Sequence, residues 1–456
     1  MTVPEASGQA PLHLSIDGDL AVIELDNPPV NALYDTMRDG IAELMRELEG
    51  NSAVSGILFV GAGRAFSAGV DLKRTAARTE PFFLHAALDA MDQVTKPLFA
   101  AIEGAALGGG LELALTCHYR LAGPRARFGL PEVEVGIIPG ACGTQRLPRI
   151  IPLARALDVA ACGDILDAEE ALRLGLVDEV TDAADFRAAA IGWSKAQTGK
   201  PVRRTRDHAL IGGQEAQAAF DDAARRAARE RPGESAPLKA IAAVRAGYEH
   251  GFEDGVEAEK KLVTECKYSA EAKAMRHLFF AERAAGKVAE APRRLSALAL
   301  GGSQAEILAP IARAAGIEIR PDAQVRLQVI GSKENAPSHG LTAILHGKGN
   351  GVVEIVAGRN EDRAILAAIV RLVRPLGRAT IIGTGCQLSQ RLRACVPGEG
   401  GEVSPDATAA LAAAGEALVA SGAAASTGDI DLLCVAALGF PRPLGGPVYQ
   451  KNLSAG

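Results

Sequence analysis

Near the N-terminus of the chain, hydrophobic and polar positions alternate, and short uninterrupted apolar blocks follow. The segment LHLSIDGDLAVIELDNP alternates on both sides of Gly18-Asp19, which predicts a β-hairpin. SGILFVGAG and PLFAAIEGAAL are short apolar runs beside glycines and predict buried strands. Apolar residues recur at helical spacing in ALYDTMRDGIAELMRELEG, which ends in a glycine, and in FLHAALDAMDQVTK. Strands that alternate with helices indicate an α/β architecture.

The pattern changes at about residue 203. From there to about residue 290, Ala, Arg, Glu and Lys at helical spacing predict two or three helices. VAEAPRR is typical of a linker, and strand and helix patterns return after it. The alanine-rich TAALAAAGEALVASGAAAS predicts a further helix, and GFPRPLGGPVYQ predicts a loop. We therefore expect three parts, residues 1–195, 196–290 and 291–456.

Composition narrows the classes of function. The 456 residues are 48% hydrophobic but only 4% aromatic, so aliphatic side chains must form the core. The formal net charge is -6, which gives no reason to expect nucleic acid or an anionic membrane as the partner. No uncharged apolar run reaches about 18 residues, so no membrane span is expected. The first residues lack the layout of a signal peptide, and the last, NLSAG, are not an SKL-type peroxisomal signal.

The cysteines indicate a reducing compartment. They are dispersed along the chain and include no CxxC pair, so we expect reduced thiols in a cytoplasmic protein, most of them in the core. The seven are Cys117, Cys142, Cys162, Cys266, Cys386, Cys395 and Cys434.

A glycine triplet, residues 108–110, leads into a glutamate in the segment AALGGGLELAL. If a helix begins there, its first backbone N–H groups have no partner and can bind an anion or a developing oxyanion. Glu112 would lie on the first turn beside them. Leu113 stands where a GxGxxG dinucleotide motif needs glycine, so that motif is not met. The alternative is close helix packing by the glycines, with Glu112 in solvent.

Two more segments favour the interpretation in which the start of the helix binds an anion or an oxyanion. RFGLPEVEVGIIPGACGTQRL carries Glu132 in a Pro-Glu turn and then a second glycine loop, residues 136–143. GRAFSAGVDLKR, residues 63–74, is a loop of small residues after a strand. Two loops with accessible N–H groups and two glutamates suit an acyl thioester, whose oxygen gains enolate character while carboxylates handle water and the α-proton.

The segments FSAGVDL, ALGGGLELAL, GLPEVEVGIIPGACGTQRLPR and LDAEEALRLGLVDEV resemble the crotonase (enoyl-CoA hydratase/isomerase) superfamily. The resemblance covers residues 12 to about 190. DNPPVNAL, CHYRLA and AMRHLFFAERAAGKV resemble the hydratase half and linker of bifunctional multifunctional enzymes. The resemblance implies an α/β fold: a crotonase domain (a ClpP/crotonase-like ββα spiral), then a helical segment and a reduced α/β plus α dehydrogenase-like region.

The resemblance also assigns roles to residues. Ala68 and Gly109 match the two oxyanion-hole N–H groups. Glu112 matches the glutamate that positions and activates water, and Glu132 matches the one that exchanges a proton with Cα. The presence of both glutamates favours hydration over isomerisation alone.

Substrate contacts are implied by the same motifs, because residues 66–74 match the segment that wraps the CoA adenine and pantetheine. The residues expected to contact substrate are Ser67, Gly69, Val70, Asp71, Leu72, Lys73, Gly108, Pro131 and Gly140. Lys73 and Arg74 could meet CoA phosphates, although a solvated surface role fits them equally. We interpret His118, at the far end of the helix, as structural.

The last part of the chain resembles a shortened 3-hydroxyacyl-CoA dehydrogenase. Its nucleotide loop has Gly301 and Gly302 but lacks a third glycine, so the dinucleotide motif is not met. His346 is the nearest candidate for the family's catalytic histidine, in an unexpected context, and no glutamate partner is evident. We therefore expect residues 295–456 to be non-catalytic, with a structural role; residual NAD or acyl-CoA binding is the alternative.

Together these features predict an enoyl-CoA hydratase of fatty-acid β-oxidation, with Δ3-Δ2 isomerase activity as an addition. Acyl-CoA is the expected substrate, with no cofactor, no metal, no nucleic acid and no membrane. A homo-oligomer or an association with other β-oxidation enzymes is compatible with the sequence. The alternatives are a non-catalytic acyl-CoA-binding or scaffold subunit, and another chemistry on the crotonase fold.

Overall fold

The structure, a computed structural model, describes residues 11–72, 84–211, 215–337, 340–347, 351–396 and 404–455. The chain packs into two compact units that meet in sequence between Ser269 and Ala270. The helical segment expected at 196–290 therefore contributes to both units. The three-part division drawn from the sequence stays a prediction of domain limits.

The first unit contains two sheets with helices around them. Its described strands are β1 (Leu12–Asp17), β2 (Leu20–Leu25), β3 (Gly56–Gly61), β4 (Ala65–Ser67), β5 (Leu98–Ile102), β6 (Ala105–Leu107), β7 (Tyr119–Ala122), β8 (Arg127–Gly129), β9 (Ile165–Asp167) and β10 (Glu179–Val180). Its described helices are α1 (Asp35–Gly50), α2 (His85–Gln93), α3 (Gly109–Thr116), α4 (Gly143–Arg146), α5 (Leu153–Leu157), α6 (Ala168–Leu174), α7 (Phe186–Lys195), α8 (Ala216–Glu230), α9 (Ala236–His250) and α10 (Phe252–Tyr268).

The larger sheet has the order β1-β2-β3-β5-β7-β10, and the smaller sheet has the order β4-β6-β8-β9. β1 and β2 form the antiparallel hairpin that the alternating pattern predicts, with Gly18 at φ +66 in its turn. The other neighbours in the larger sheet are parallel, as expected where helices connect the strands. The main core, which contains residues of α1, α2 and both sheets, is dominated by aliphatic side chains.

One sequence prediction was too simple. PLFAAIEGAAL was expected to be one strand, but it forms β5 in the larger sheet and β6 in the smaller. The chain turns between them at Gly104, where φ is +69 and an added Cβ would lie 2.0 Å from the Arg64 carbonyl oxygen. Only glycine fits that close backbone approach, and the turn carries the chain directly to the start of α3.

The second unit contains one six-stranded sheet with helices. Its described strands are β11 (Ala297–Gly301), β12 (Glu318–Ile319), β13 (Arg326–Gly331), β14 (Leu341–His346), β15 (Val352–Ala357) and β16 (Ala379–Thr384). Its described helices are α11 (Ala270–Ala284), α12 (Ala305–Ala314), α13 (Arg363–Val373), α14 (Leu388–Arg393), α15 (Pro405–Ala420), α16 (Thr427–Leu438) and α17 (Pro447–Ala455). The strand order is β12-β11-β13-β14-β15-β16, and only the β14–β15 pair is antiparallel.

The Pro/Gly-rich tail is not all loop, as the sequence suggested, because α17 begins at Pro447. The Asp431 carboxylate accepts hydrogen bonds from the N–H groups of Val448 (2.8 Å) and Tyr449 (3.2 Å) at the start of that helix. This cap comes from a residue far away in sequence, so local pattern alone does not reveal it. Across the described ranges of the chain, no helix combines the length and the apolar character that crossing a membrane requires.

Candidate active site

Glu112 lies on the first turn of α3 and is buried, with 2% of its surface exposed. Its Oε1 accepts hydrogen bonds from the backbone N–H groups of Ala141 (2.7 Å) and Gly143 (3.0 Å). Burial raises the pKa of Glu112 to about 7, while the N–H groups of Ala141, Gly143 and Gly140 and the Arg146 charge act in the opposite direction. Oε1 is therefore anchored by two backbone hydrogen bonds.

The glycine triplet combines both interpretations drawn from the sequence. An added Cβ at Gly110 would lie 2.3 Å from the Ser67 carbonyl oxygen, so this glycine serves close packing of α3 on β4. Gly108 has φ +52, and an added Cβ there would lie 2.7 Å from Glu132 Oε1. The alternative in which Glu112 is solvated is wrong, because that side chain is buried.

Glu132 lies in a short 3-10 turn, Pro131–Val135, that brings its carboxylate against Gly108. Its Oε2 is buried and accepts no hydrogen bond from any residue that the structure describes. Burial, followed by the negative charge of Glu112, raises the pKa of Glu132 well above the ordinary glutamate range. Burial and the neighbouring negative charge therefore favour the protonated form of the Glu132 carboxyl.

The structure corrects the assignment of Ala68. The Ala68 N–H donates to the carbonyl oxygen of Val30 (2.9 Å), so it is not available to a substrate oxygen. Two residues on, the Val70 N–H donates to no oxygen of the described residues, and neither does that of Gly109. An added Cβ on Gly109 would lie only 3.7 Å from Val70 N. The pair of free N–H groups is thus Val70 with Gly109.

The other residues expected to contact substrate lie around this pair, with exceptions. The Ser67 hydroxyl is fully buried, donates to Asn31 O (2.7 Å) and accepts from Gly69 N (3.2 Å), so it shapes the loop and does not face a substrate. Asp71 and Leu72 are partly exposed next to Val70. An added Cβ at Gly140 would lie 3.0 Å from Val263 Cγ2 of α10, so Gly140 packs against that helix. Lys73 and Arg74 lie outside the described residues.

The first part of the chain is similar to known proteins. The family model described as enoyl-CoA hydratase/isomerase matches residues 15–209. Residues 15–209 are similar to an enoyl-CoA hydratase/isomerase domain. The chain is 38% identical over 280 residues to a peroxisomal bifunctional enzyme of Cavia porcellus, covering 60% of this chain and 38% of that protein. It is 33% identical over 305 residues to the fatty acid oxidation complex subunit alpha of a Shewanella strain, covering 62% of this chain and 43% of that protein.

The chain thus matches about two fifths of the length of these relatives. Among solved structures, an enoyl-CoA hydratase/isomerase from Pseudoalteromonas atlantica T6c aligns with a TM-score of 0.46 and 22% identity, over 59% of this chain and 96% of that one.

A residue that the sequence analysis missed borders the hydratase/isomerase domain's site. Glu259, on α10 beyond the matched segment, is fully buried and accepts hydrogen bonds from the N–H groups of Cys142 (2.6 Å) and Thr144 (3.0 Å). Burial and then the Glu112 charge raise the pKa of Glu259 to about 8. A signal was present, since Val256, Glu259 and Val263 share one face of the helix and place a carboxylate in an apolar stripe.

His118 has the structural place that the sequence analysis gave it. Its Nδ1 accepts a hydrogen bond from the Leu98 backbone N–H (2.9 Å). Burial lowers its pKa to about 3, so it stays neutral and joins α3 to the larger sheet.

His85, Cys142 and Glu259 place one possible metal-ligand atom each within 4.8 Å of one another. The chemistry fits a cation poorly. Both Glu259 oxygens already accept backbone hydrogen bonds, and burial raises the pKa of the Cys142 thiol well above its ordinary value. Burial and then the Lys260 and Arg146 charges lower the pKa of His85 to about 4. The absence of a metal from the mechanism stays a prediction.

In the second unit, the prediction that His346 has no glutamate partner is wrong. His346 Nε2 lies 2.9 Å from Glu354 Oε2, across the antiparallel pair β14–β15. The other Glu354 oxygen accepts from the N–H groups of Leu388 and Ser389 at the start of α14. Both side chains of the pair are 0% exposed. The two residues are only eight positions apart in the chain, and this short spacing kept the pair from being recognised in the sequence.

Proposed function

We propose that this chain is an enoyl-CoA hydratase that adds water to a trans-2-enoyl-CoA and yields a 3-hydroxyacyl-CoA. One observation carries the proposal: two glutamates with raised pKa, the buried Glu112 and the half-buried Glu132, lie beside the free N–H groups of Val70 and Gly109. The names of the relatives, a peroxisomal bifunctional enzyme and a fatty acid oxidation complex subunit, support a place in fatty-acid β-oxidation.

The proposed chemistry follows from the protonation states. The N–H groups of Val70 and Gly109 donate to the thioester oxygen and stabilise the enolate that forms as the C=C bond is attacked. Ionised Glu112, anchored through Oε1, takes a proton from water while the water oxygen bonds to Cβ. Protonated Glu132 then gives its proton to Cα, which restores the thioester carbonyl. Proton exchange with solvent resets both carboxyls. Run on a 3-enoyl thioester with Glu132 ionised, the same site would exchange protons at Cα and shift the double bond.

The direct test is to mix the purified chain with crotonyl-CoA. We expect the absorbance of the conjugated enoyl thioester to fall and 3-hydroxybutyryl-CoA to appear. A chain that leaves crotonyl-CoA and longer enoyl-CoAs unchanged, yet binds them, would be a non-catalytic acyl-CoA-binding or scaffold subunit.

We further propose that the second unit neither binds NAD nor oxidises the product. An added Cβ at Gly302 in the nucleotide loop would lie 2.3 Å from the Val329 carbonyl oxygen, so this glycine packs against β13. The His346–Glu354 pair has the composition of a dehydrogenase dyad, but neither side chain reaches the surface of its unit. Adding NAD to the completed hydration reaction is therefore expected to give no NADH. Steady NADH formation would contradict this proposal.

The pH dependence provides another prediction. Hydration needs Glu112 ionised and Glu132 protonated. Because burial raises the pKa of Glu112 to about 7, we expect kcat/KM to fall about tenfold per pH unit below about pH 7. An ordinary glutamate would give this limb near pH 4.3. The apparent pKa of this fall in kcat/KM is a property of Glu112 and Glu132 together, because the two groups interact. It is measured with crotonyl-CoA between pH 5 and 9. A profile that stays flat down to pH 5 would contradict the role of Glu112 as base.

The proposed setting is a reducing compartment, with the cytoplasm as the expected one. The seven cysteines are all free, and the relatives with peroxisomal names leave the compartment open. Acyl-CoA is the proposed partner, and self-association or association with other β-oxidation enzymes stays a prediction.

A further inference from the structure

The loop at residues 140–144 is held by two carboxylates from opposite sides. The N–H groups of Ala141 and Gly143 donate to Glu112, and those of Cys142 and Thr144 donate to Glu259. Four successive N–H groups thus alternate between two acceptors. No residue in the loop can rotate without releasing a hydrogen bond on one side or the other.

The backbone conformation of this loop depends on these bonds. Cys142 has φ +67, in the left-handed region that non-glycine residues rarely adopt. Such a conformation persists only where the surroundings determine it from several directions. Glu259 constrains the loop from one side. Its Oε1 accepts a hydrogen bond from the Cys142 N–H, and its Oε2 accepts from both the N–H and the hydroxyl of Thr144.

Packing fixes Glu259 in turn. The ring of Phe252, at the start of α10, lies 5.3 Å from the Arg146 guanidinium and 5.1 Å from that of Arg149. One helical turn before Glu259, an added Cβ at Gly255 would lie 2.6 Å from Gly247 Cα of α9. Helices α9 and α10 therefore approach closely through glycine, and Glu259 has little freedom to shift along its axis.

We propose that Glu259 is a positioning residue for hydration, which sets the place of the Glu112 carboxylate through the backbone of residues 141–144. This inference rests on the proposed hydratase function. Glu259 touches neither substrate nor water in this role. It follows that helix α10, which lies beyond the matched hydratase/isomerase domain, completes the geometry of that domain's active site.

A positioning role of Glu259 and a role in helix docking alone predict different effects on the kinetics of hydration. The thioester oxygen is held by Val70 and Gly109, and neither belongs to the 140–144 loop. A displaced loop should therefore slow the chemical step without weakening substrate binding, because a shift of about 1 Å in a reacting group costs about 100-fold. A docking role alone would lower stability and leave the turnover of the folded protein unchanged.

The test uses the full chain with two variants and one control. Glu259→Gln offers one acceptor oxygen where two are needed, and Glu259→Ala offers none. We expect kcat on crotonyl-CoA to fall about tenfold and about 100-fold respectively, with KM within about threefold of the wild type. The matched control is Glu257→Gln on the same helix, whose side chain is 73% exposed and pairs with Lys260. It should leave both constants unchanged.

Amide hydrogen exchange supplies a readout that does not depend on activity. Exchange of the N–H groups of residues 141–144 should speed up in Glu259→Gln and stay at the wild-type rate in Glu257→Gln. Unchanged exchange, or a kcat that matches the wild type, would overturn the positioning role. A wild type that leaves enoyl-CoA unchanged would instead contradict the proposed function, and the exchange rates distinguish these two failures.

Discussion

Replacing Glu132 with glutamine is expected to lower the kcat of crotonyl-CoA hydration by about 1,000-fold. The carboxyl Oε2 is buried and accepts no hydrogen bond within the described part of the chain, and burial with the Glu112 charge raises the pKa of this group well above its ordinary range. The proton it holds at neutral pH is the one that Cα needs, and a glutamine amide has no proton of comparable acidity. The amide has the same shape, so substrate should bind and KM should change little.

The control for this variant lies two residues away in the same turn. Glu134 forms an ion pair with Arg231, which places its carboxylate outside the proton-transfer geometry. Glu134→Gln should therefore retain activity within a few fold of the wild type. If Glu132→Gln hydrates crotonyl-CoA at more than about a tenth of the wild-type rate, Glu132 is not the proton donor.

Local sequence predicted those parts of the site that depend on neighbouring residues. Gly108, Glu112 and Glu132 are recognisable because a helix start and a Pro-Glu turn are short-range structures. Ala68 was chosen within the right loop but at the wrong residue. Which N–H is free there depends on the pairing of Ala68 with Val30, far back in the chain.

The missed features all depend on contacts between distant segments. Glu259 reaches the 140–144 loop from more than 100 residues later in the chain, and Glu354 meets His346 only because a short hairpin sets two strands side by side. A buried glutamate in an apolar helical stripe can be recognised from sequence, but its partner cannot, since the helical period says nothing about what lies opposite.

The largest effect on stability is expected for Asp92→Asn. Asp92 Oδ2 accepts from Arg146 (2.6 Å) and from Arg206 (3.1 Å), and the side chains of Asp92 and Arg146 are 2% and 1% exposed. Removing the negative charge leaves the buried Arg146 guanidinium without its ion-pair partner. Breaking a buried pair in this way typically costs about 3–5 kcal/mol, because the ion that remains has lost its hydration and regains nothing. We expect a loss of this size in the free energy of unfolding of the first unit.

The single tryptophan makes this loss measurable in one unit. Trp193 lies in α7 and packs against Phe99 of the larger sheet, so its fluorescence in urea reports the unfolding of the unit that contains Asp92. The control is Asp222→Asn, which removes an exposed pair with Arg225 and should cost at most about 1 kcal/mol. An Asp92→Asn midpoint indistinguishable from that control would mean that the Arg146 charge is stabilised elsewhere, by the Phe252 ring 5.3 Å away or by water.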